Sequence, residues 1–446
     1  MKAPATARSV AITVLHRVAD RGAYASAALD AELKRARLSA TDAALATEIV
    51  YGTLRALPAL DARIAAQLKQ GGKLDGLARA ALRAGCYQLM HLSRVPAHAV
   101  VDESVRVVRG ARSPRLGGFV NAVLRGLARQ RPEHPAPPEH VLVEPWVRAS
   151  LEAGLGPERT AALLDQRPSS PPIGLRVSAG RDIDAIATAI AAARPDAELA
   201  RGLAPRALRV RRAGDPRGLP GYAEGDLSVQ EEGSQLLALA LGAEPGETVA
   251  DLCAGHGGKT TLLAERVGPR GSITAVDVDE RKLERIAPEL ARLGRSDVRV
   301  PTAAVDLGVG IGELAPASFD RVLVDAPCAG LGTLHRRPEI LLRLTPDDLP
   351  RLGELQLRIL EHAASLVRPG GVLAYSVCSP TRDEGALVAE RFERLHGAFT
   401  RSPDGPAART KIPADRDGIL RLGPWLGDGA WGAPDAYQLV SWVREG

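Results

Sequence analysis

From residue 236 onward, the sequence alternates short apolar runs with longer segments of helical periodicity. The apolar runs predict strands and the periodic segments predict helices. The predicted strands cover 248–253, 272–277, 298–302, 321–325 and 372–376, and the predicted helices cover 258–267, 280–293, 351–367 and 383–395. This alternation is typical of an α/β domain with a mostly parallel sheet covered on both faces. Because ligands bind at the carboxyl ends of such strands, the residues after each strand are the first candidates for a functional site.

The N-terminal part has a different pattern, with apolar side chains at helical spacing in segment after segment. Ser39 and Asp75 are plausible helix starts, because short polar side chains cap the first turn of a helix. A proline-rich stretch at 131–140 cannot continue a helix. We therefore predict an all-α domain over residues 1–135.

Residues 136–235 are predicted to be a linker and a small α/β subdomain, and residues 236–446 a third domain. The linker and subdomain show helical patterns at 146–166 and 182–193 and strand patterns at 173–177 and 207–210. Six arginines between positions 201 and 217 form the densest basic run in the chain. They fit a surface that follows a phosphate backbone, but also an ordinary solvated surface, which is the commoner case.

Composition excludes several classes of protein. No leader-like segment and no apolar run near the ~18 residues of a membrane span is present, so we expect a cytoplasmic chain. Four scattered cysteines do not form a disulfide framework or a zinc site, so we expect reduced thiols and no metal. The charge of +5 fits a polyanionic partner, but only seven of the 58 basic residues are lysine, a bias that genome composition also explains. We expect a monomer.

The first predicted strand of the α/β domain ends in Asp251-Leu-Cys-Ala-Gly-His-Gly-Gly-Lys-Thr (251–260) and leads directly into a helix. The sequence is neither a P-loop nor a full dinucleotide fingerprint. Its glycines leave room for a cofactor beside the backbone, and the free N–H groups of the helix can receive a carboxylate. Asp277 ends the next strand, where a ribose-binding carboxylate belongs. These features suit S-adenosylmethionine, although the turn alone also fits a nicotinamide cofactor or a purely structural role.

Two cysteines follow later strands of the same sheet, Cys328 in Asp-Ala-Pro-Cys and Cys378 in Tyr-Ser-Val-Cys-Ser. A thiolate can add to carbon-6 of a pyrimidine and make carbon-5 nucleophilic enough to take a methyl group. Asp325, at the start of the first motif, can bond the exocyclic amine and ring nitrogen of cytosine. We expect Lys259 and nearby arginines to lower the pKa of these thiols.

Other candidates have simpler explanations. Lone cysteines are usually inert and buried, which we expect for Cys86, and Cys253 is expected to serve packing more than chemistry. Asp306 could touch the adenine or methionine end of a cofactor, or could simply form a turn or cap. We predict that His256 and His335 are not catalytic, and that His335 lies on the surface.

The motifs resemble those of a known family, the Nol/Nop/Sun RNA cytosine-5 methyltransferases. Residues 228–236 are similar to the segment that leads into the family's catalytic domain, and residues 325–339 to its Pro-Cys motif. Val-Cys-Ser (377–379) resembles its nucleophile motif. Residues 5–130, with Ile-Val-Tyr-Gly-Thr-Leu-Arg at 49–55, resemble the NusB-type RNA-binding domain of the bacterial members that act on 16S ribosomal RNA. The likeness covers nearly the whole chain in the same domain order.

The resemblance implies a Rossmann-like class I methyltransferase domain, S-adenosylmethionine as cofactor and small-subunit (16S) ribosomal RNA as partner. It implies that Cys378 attacks carbon-6, that Cys328 assists release of the methylated base, and that Lys259 orients active-site groups. Cofactor contacts are implied for Cys253, Ala254, Gly255, His256, Gly257, Gly258, Lys259, Asp277, Asp306 and Asp325. The target base must leave its stack to reach such a site.

The sequence departs from the family pattern at several positions. The cofactor turn has Gly255-His256 where the family usually has Ala-Pro, and Val377 replaces the usual threonine before the nucleophile. Val-Asp-Leu-Gly (305–308) replaces the usual Gly-Asp-Gly, which makes Asp306 the weakest of the implied contacts. The segment 427–432 also differs from the family's ending.

Two other functions compete with a methyltransferase. An RNA-binding, antitermination-like factor could retain an inactive methyltransferase fold, but retention of Cys328, Cys378, Lys259, Asp277 and Asp325 argues against it. A nicotinamide oxidoreductase lacks the full glycine fingerprint and leaves the Pro-Cys motif without a role.

Overall fold

The computed structural model describes residues 5–68, 74–112, 114–135, 142–165, 171–427, 431 and 434–446. Contacts between residues divide the chain into two compact units. Among the described residues, the first unit comprises those up to 148 together with 164–165 and 334–344. The second comprises 149–163, 171–333 and those from 345 onward.

The first unit is helical, which confirms the predicted all-α character of the N-terminal region. Its helices are α1 (Ala7–Arg21), α2 (Ala25–Ala36), α3 (Ala40–Arg55), α4 (Leu57–Ala65), α5 (Gly76–His91), α6 (Ala97–Ala111) and α7 (Pro114–Ala128). Buried apolar side chains from these helices form one continuous core, with Ile12, Leu54 and Leu82 among its members. A shared core of this kind stabilises the unit because short helices are marginal on their own.

Both predicted helix starts are confirmed. The Ser39 hydroxyl accepts from the backbone N–H of Asp42 at 3.1 Å, so it caps α3. The Asp75 carboxylate accepts from the N–H groups of Leu77 and Ala78 at 2.9 and 3.1 Å, and caps α5. These bonds satisfy backbone donors that the helices themselves leave free.

The pattern predicted one helix over 146–166, and the structure has two, α8 (Pro145–Leu155) and α9 (Pro157–Leu164). They are separated by Gly156, whose φ of +78° is in the left-handed region. A residue in that conformation ends a helix, and a proline such as Pro157 suits the first position of the next.

The first unit also includes 334–344, which contains a 3₁₀ helix (Pro338–Leu342). The buried Arg55 guanidinium donates from Nη2 to the carbonyl of His335 at 3.0 Å. The Glu339 carboxylate accepts from the backbone N–H of Ala25 at 3.2 Å. The prediction that His335 lies on the surface is therefore wrong, because these contacts leave it only 6% exposed.

After residues 149–163, the second unit continues with a small antiparallel sheet. Its strands are β1 (Ile173–Val177), β2 (Glu198–Arg201), β3 (Ala207–Arg211) and β4 (Leu227–Val229), in the order β2-β3-β1-β4. The helix α10 (Ile183–Ala193) packs Ile190 against the apolar side chains of this sheet, including Leu175 and Leu208. The predicted small α/β subdomain is thus confirmed as a fold element. A 3₁₀ helix (Pro216–Gly218) lies between β3 and β4.

Most arginines of the basic run have partners inside this subdomain. The ion pairs are Arg201–Asp184, Arg212–Glu198 and Arg217–Asp215. Arg206 donates to the carbonyl of Val177 at 2.8 Å, and Arg209 is buried at 9% exposure. Because these charges are largely matched by neighbouring acids, the run favours an ordinary structural surface over one that follows a phosphate backbone.

The rest of the second unit has the predicted alternation of strands and helices. Its elements are α11 (Glu232–Leu241), β5 (Thr248–Leu252), α12 (Gly258–Val267), β6 (Ser272–Asp277), α13 (Glu280–Leu283), α14 (Ile286–Arg292), β7 (Thr302–Ala304), β8 (Phe319–Asp325), α15 (Asp348–Leu366), β9 (Val367–Val377), α16 (Ala386–Leu395), β10 (Phe399–Arg401), α17 (Asp404–Thr410), β11 (Leu420–Leu422) and β12 (Tyr437–Arg444). Further 3₁₀ helices cover Leu331–Thr333 and Pro424–Leu426.

The large sheet has the strand order β10-β12-β9-β8-β5-β6-β7, and β11 pairs with β12. The five central and edge strands from β9 to β7 are parallel, whereas β12 is antiparallel to β9. Apolar clusters cover both faces, one built on β8, β9 and α15 and the other on β5, β6 and α12. The predicted mostly parallel, Rossmann-like sheet is therefore confirmed.

Two predicted elements of this domain differ from the structure for reasons of proline chemistry. The helix predicted over 280–293 is interrupted between α13 and α14, because Pro288 has no N–H to bond the carbonyl of Glu284. The strand predicted over 298–302 is regular only from Thr302. Pro301 accepts from Ala275 at 3.0 Å but cannot donate in return, so the ladder before β7 is incomplete.

We predict that Trp442→Ala strongly destabilises the second unit. The Trp442 side chain on β12 is 0% exposed, packs on Phe392 with ring centroids 4.8 Å apart and donates to Glu393 at 2.7 Å. Removing a buried aromatic ring of this kind costs about 3–5 kcal/mol of unfolding free energy. Urea unfolding followed by circular dichroism measures the change. The adjacent Val443, 36% exposed, provides the control: an equal loss in Val443→Ala would contradict the packing argument.

Candidate active site

The turn between β5 and α12 has an unusual backbone. Gly255 and Gly257 have φ values of +59° and +80°, and Cys253 has a φ of +61°, which is rarely favourable for a residue with a side chain. A Cβ at Gly257 would lie 2.6 Å from Ile286, whereas one at Gly255 would meet nothing within 4 Å. Gly257 therefore permits close packing behind the turn, and Gly255 faces open space in front of it.

The helix that follows this turn starts without a side-chain cap. The N–H groups of its first turn have no intrahelical acceptor and can bind an anionic group. His256 is exposed beside them and lines a cleft of ≈ 330 Å³ together with Arg285. Partial burial lowers the pKa of His256, and the positive charges of Arg285 and Lys282 lower it further.

Asp277 lies at the end of β6 and contacts the turn directly. Its Oδ2 accepts from the backbone N–H of Gly255 at 2.9 Å. Its Oδ1 accepts from the N–H of Asp279 at 2.9 Å and from Lys282 Nζ at 3.3 Å. The parallel pairing of β5 with β6 explains this proximity, because it places both strand ends at one edge of the sheet.

Asp251 is the last acid before the turn, and its two oxygens differ. Its Oδ2 accepts from the Thr260 hydroxyl at 2.6 Å, whereas no donor for its buried Oδ1 is found in the part of the chain that the structure describes. Burial raises the pKa of Asp251 to about 6, although Thr260 and Lys259 oppose the shift. A buried acceptor that lacks a donor is a candidate ligand group. The sequence prediction missed this residue, and its signal would have been an acid inside an otherwise apolar strand.

Lys259 and Asp325 form a close ion pair, with 2.5 Å between Nζ and Oδ2. The second Asp325 oxygen accepts from the Ser376 hydroxyl at 3.1 Å. Burial alone would lower the pKa of Lys259, but the Asp325 carboxylate raises it beyond that effect, so the net direction is upward. The ammonium group therefore stays charged, and it holds the carboxylate at the end of β8.

The two strand-end cysteines meet. The distance between the Cys328 and Cys378 Sγ atoms is 3.3 Å, and neither thiol forms a disulfide. Parallel pairing of β8 with β9 sets Asp325 opposite Ser376, so the two loops leave the sheet side by side. The two thiols that the sequence placed after neighbouring strand ends are therefore in contact.

The expectation that nearby cations lower the pKa of Cys328 is wrong. The hydrogen bond to Cys378 raises the pKa of the Cys328 thiol most strongly, and burial and the charges of Glu384 and Asp325 raise it further. Burial also raises the pKa of Cys86 to about 12 and raises that of Cys253. For these three thiols, burial and neighbouring groups raise the pKa by more than nearby cations lower it.

Asp306 makes a local contact in the loop after its strand. It follows β7 at the edge of the parallel strands, is exposed, and accepts from the N–H of Gly308 at 2.9 Å. This is the turn-forming role that the sequence offered as the alternative for Asp306.

Within the described ranges, no group of three or more His, Cys, Asp or Glu side chains could hold a metal ion. No helix in that part of the chain is long and apolar enough to cross a membrane.

Comparison with known proteins identifies the family. Residues 5–129 match the NusB family, and residues 238–416 match the 16S rRNA methyltransferase RsmB/F family. The chain is 34% identical over 413 residues to ribosomal RNA small subunit methyltransferase B of Vibrio cholerae, covering 89% of this chain and 90% of that protein. It is 31% identical over 430 residues to the probable ribosomal RNA small subunit methyltransferase B of Bacillus subtilis, covering 94% and 95%.

A solved structure also covers the whole chain. The crystal structure of PH0851 has a TM-score of 0.79 and 23% identity, and 100% of both chains is covered. That likeness shows the fold. The sequence matches show more: the chain belongs to the RsmB/F family of 16S rRNA methyltransferases and has a NusB domain at its N-terminal side. The resemblance to RNA methyltransferases drawn from the motifs is confirmed.

We predict that Cys378→Ala makes Cys328 more reactive at neutral pH. The substitution removes both the hydrogen bond and the charge of Cys378 that raise the pKa of Cys328, and each unit of decrease raises the thiolate fraction about tenfold. Iodoacetamide labelling from pH 6 to 11, quantified by mass spectrometry, gives the labelling rate of Cys328 as a function of pH. The inflection of this curve should lie at lower pH in Cys378→Ala than in the wild-type protein. Cys86 should be unchanged. Faster labelling at every pH without a moved inflection would indicate a change of access alone and contradict the coupling.

Proposed function

We propose that the chain transfers a methyl group from S-adenosylmethionine to carbon-5 of a cytosine in 16S ribosomal RNA, through a covalent adduct with Cys378. The observation that carries this proposal is the 3.3 Å contact between two free cysteines beside the Lys259–Asp325 ion pair. One cysteine thiolate can bond to carbon-6 of the base, and the neighbouring cysteine can then remove the carbon-5 proton so that the product is released. The membership of the RsmB/F family supports ribosomal RNA as the substrate.

The residues of the β5–α12 turn fit the proposed cofactor. The open space at Gly255 provides room, and the start of α12, which has no side-chain cap, provides N–H donors. The Oδ1 of Asp251, for which the described residues offer no donor, provides an acceptor. We propose that Cys253 to Lys259 hold the amino-acid part, that Asp277 holds the ribose, and that Asp306 contacts the opposite end. When bound, the sulfonium group supplies an electrophilic methyl group and departs as a neutral thioether.

The first proposed step is addition of the Cys378 thiolate to carbon-6 of the base. The new C–S bond makes the electron pair of the C5=C6 bond available at carbon-5, which can then take the methyl group. Asp325 accepts from the exocyclic amine of the cytosine, and Lys259 fixes the orientation of that carboxylate through the 2.5 Å ion pair. Placing these groups before reaction lowers the entropic part of the barrier.

The second proposed step is removal of the carbon-5 proton by Cys328. The C5–H electron pair re-forms the C5=C6 bond, the C6–S bond breaks, and Cys378 leaves as a thiolate. The hydrogen bond and charge of Cys378 raise the pKa of Cys328 in the free protein. Once Cys378 is bonded to carbon, it is a neutral thioether, so its charge no longer acts on Cys328 and its sulfur is only a weak acceptor. The pKa of Cys328 then falls, so this thiol releases its own proton to solvent more readily, and the resulting thiolate takes the carbon-5 proton.

Trapping of the covalent intermediate tests this function. Cys328→Ser protein, incubated with unmodified 16S ribosomal RNA and S-adenosylmethionine, should transfer one methyl group and remain attached to RNA on a denaturing gel. Cys378→Ser protein should give neither methylation nor an RNA-linked band, because the nucleophile is lost. The Cys328→Ser/Cys378→Ser double variant is the control for nonspecific crosslinking. Intact RNA binding without methylation by the wild-type protein would instead support an RNA-binding factor with an inactive methyltransferase domain.

The cofactor assignment is tested separately by binding. We expect Asp277→Asn to weaken S-adenosylmethionine binding by about 1.5–3 kcal/mol, the usual range for a hydrogen bond to a charged group. The matched variant Asp306→Asn should cost less, because that carboxylate is exposed and engaged in its own turn. Isothermal titration calorimetry gives both affinities. A larger loss in Asp306→Asn than in Asp277→Asn would refute the assigned order.

A further inference from the structure

A buried carboxylate outside the proposed chemistry contacts both cysteine loops. Glu384 lies in the turn before α16 and is 0% exposed. Its Oε1 accepts from the backbone N–H of Ala329 at 2.7 Å and from Gln356 Nε2 at 3.1 Å. Its Oε2 accepts from the hydroxyls of Ser379 and Thr381, the second at 3.2 Å. Both oxygens are therefore saturated with donors.

These donors lie next to the two cysteines in the chain. Ala329 directly follows Cys328, and Ser379 directly follows Cys378. One side chain thus bonds to a neighbour of each sulfur-bearing residue. Since the carboxylate is buried, water does not compete for these bonds, and each is stronger than it would be on the surface.

A second set of hydrogen bonds fixes Glu384 itself. On α15, Gln356 Nε2 also donates to the carbonyl of Pro327 at 2.9 Å. The Tyr375 hydroxyl has one proton and lies within hydrogen-bond distance of two acceptors, Gln356 Oε1 at 2.9 Å and the Glu384 carbonyl at 2.6 Å. The backbone is therefore held on both sides of Cys328, at Pro327 and at Ala329.

We propose that Glu384 is a positioning residue, which holds Cys328 and Cys378 at the separation that their successive steps require. This inference rests on the proposed function and assigns a residue that acts on the reaction without touching the base. Accepting four donors at two oxygens suits an ionised carboxylate, which has no proton of its own to place. Burial raises the pKa of Glu384, while its four donors oppose the shift.

Two substitutions separate the hydrogen bonds of Glu384 from its charge. Glu384→Gln removes the charge but keeps an oxygen for the N–H donors of Ala329 and Gln356, and the hydroxyls of Ser379 and Thr381 can rotate to accept from its amide. Glu384→Ala removes the charge and all four bonds. Any difference between the two variants therefore reports the hydrogen bonds.

We expect Glu384→Ala to lower the single-turnover rate of methyl transfer at least about tenfold relative to Glu384→Gln, since small misplacements of reacting groups have effects of this size. The dissociation constants for S-adenosylmethionine and 16S ribosomal RNA should match in the two variants. Rapid-quench kinetics and equilibrium binding measure these quantities. Equal rates in two folded variants would overturn the proposal.

A readout that needs no activity comes from the alkylation of Cys328. The rate of Cys328 alkylation, plotted against pH, should have its inflection at lower pH in Glu384→Ala than in Glu384→Gln. The reason is that Glu384→Ala no longer holds Cys378 against Cys328. Identical inflections would also overturn the proposal. If the wild-type protein transfers no methyl group, the proposed function fails, but this measurement still decides whether Glu384 positions the thiols.

The control is Glu232, another buried carboxylate at 2% exposure, which accepts from the N–H of Ala204 at 3.2 Å in the small subdomain. Glu232→Ala should affect stability without moving the inflection of Cys328 alkylation.

If Glu384→Ala does not fold, Gln356→Met tests the same network, because methionine cannot donate to Pro327 or Glu384. It should show a smaller loss of rate with unchanged affinities, and a wild-type rate and inflection in that variant would overturn the proposal.

Discussion

The candidate site depends on the parallel pairing of β8 with both of its neighbours. β5 pairs with β8 through Leu252 and Val324, and β8 pairs with β9 through Asp325 and Ser376. The turn after β5, the loop after β8 and the loop after β9 therefore leave the sheet together at one edge. Successive side chains of a strand point to opposite faces, so a one-residue shift of β8 would move Asp325 to the other face. The apolar clusters on both faces oppose such a shift.

Burial determines how the charged groups at this edge behave. Lys259 is 8% exposed and its ammonium group pairs with Asp325 at 2.5 Å, whereas the buried Glu384 carboxylate accepts from four hydrogen-bond donors. Asp251 has a single donor among the described residues, and its other oxygen is buried without one. The first two arrangements are complete and keep their groups fixed, whereas the third leaves a buried acceptor unsatisfied. The same strand ends thus provide rigid groups and one unsatisfied group.

Local patterns in the sequence predicted the alternating strands, the glycine turn and the acids and cysteines at the strand ends. Those features follow from short-range periodicity and from the rule that parallel strands present their carboxyl ends at one edge. The burial of His335 and the role of Glu384 could not be predicted in this way. His335 is buried through a contact with Arg55, distant in the chain, and an acid just before a helix, such as Glu384, ordinarily indicates only a favourable first turn. The raised pKa of Cys328 likewise depends on tertiary neighbours.

Two identical side chains at one site can have different roles only if their surroundings differ. Cys328 lies near the negative charges of Glu384 and Asp325 and within hydrogen-bond distance of Cys378, and all of these keep its proton bound. Cys378 instead interacts electrostatically with the ammonium group of Lys259. This asymmetry supports Cys378 as the nucleophile and Cys328 as the group that is first a thiol and later a base.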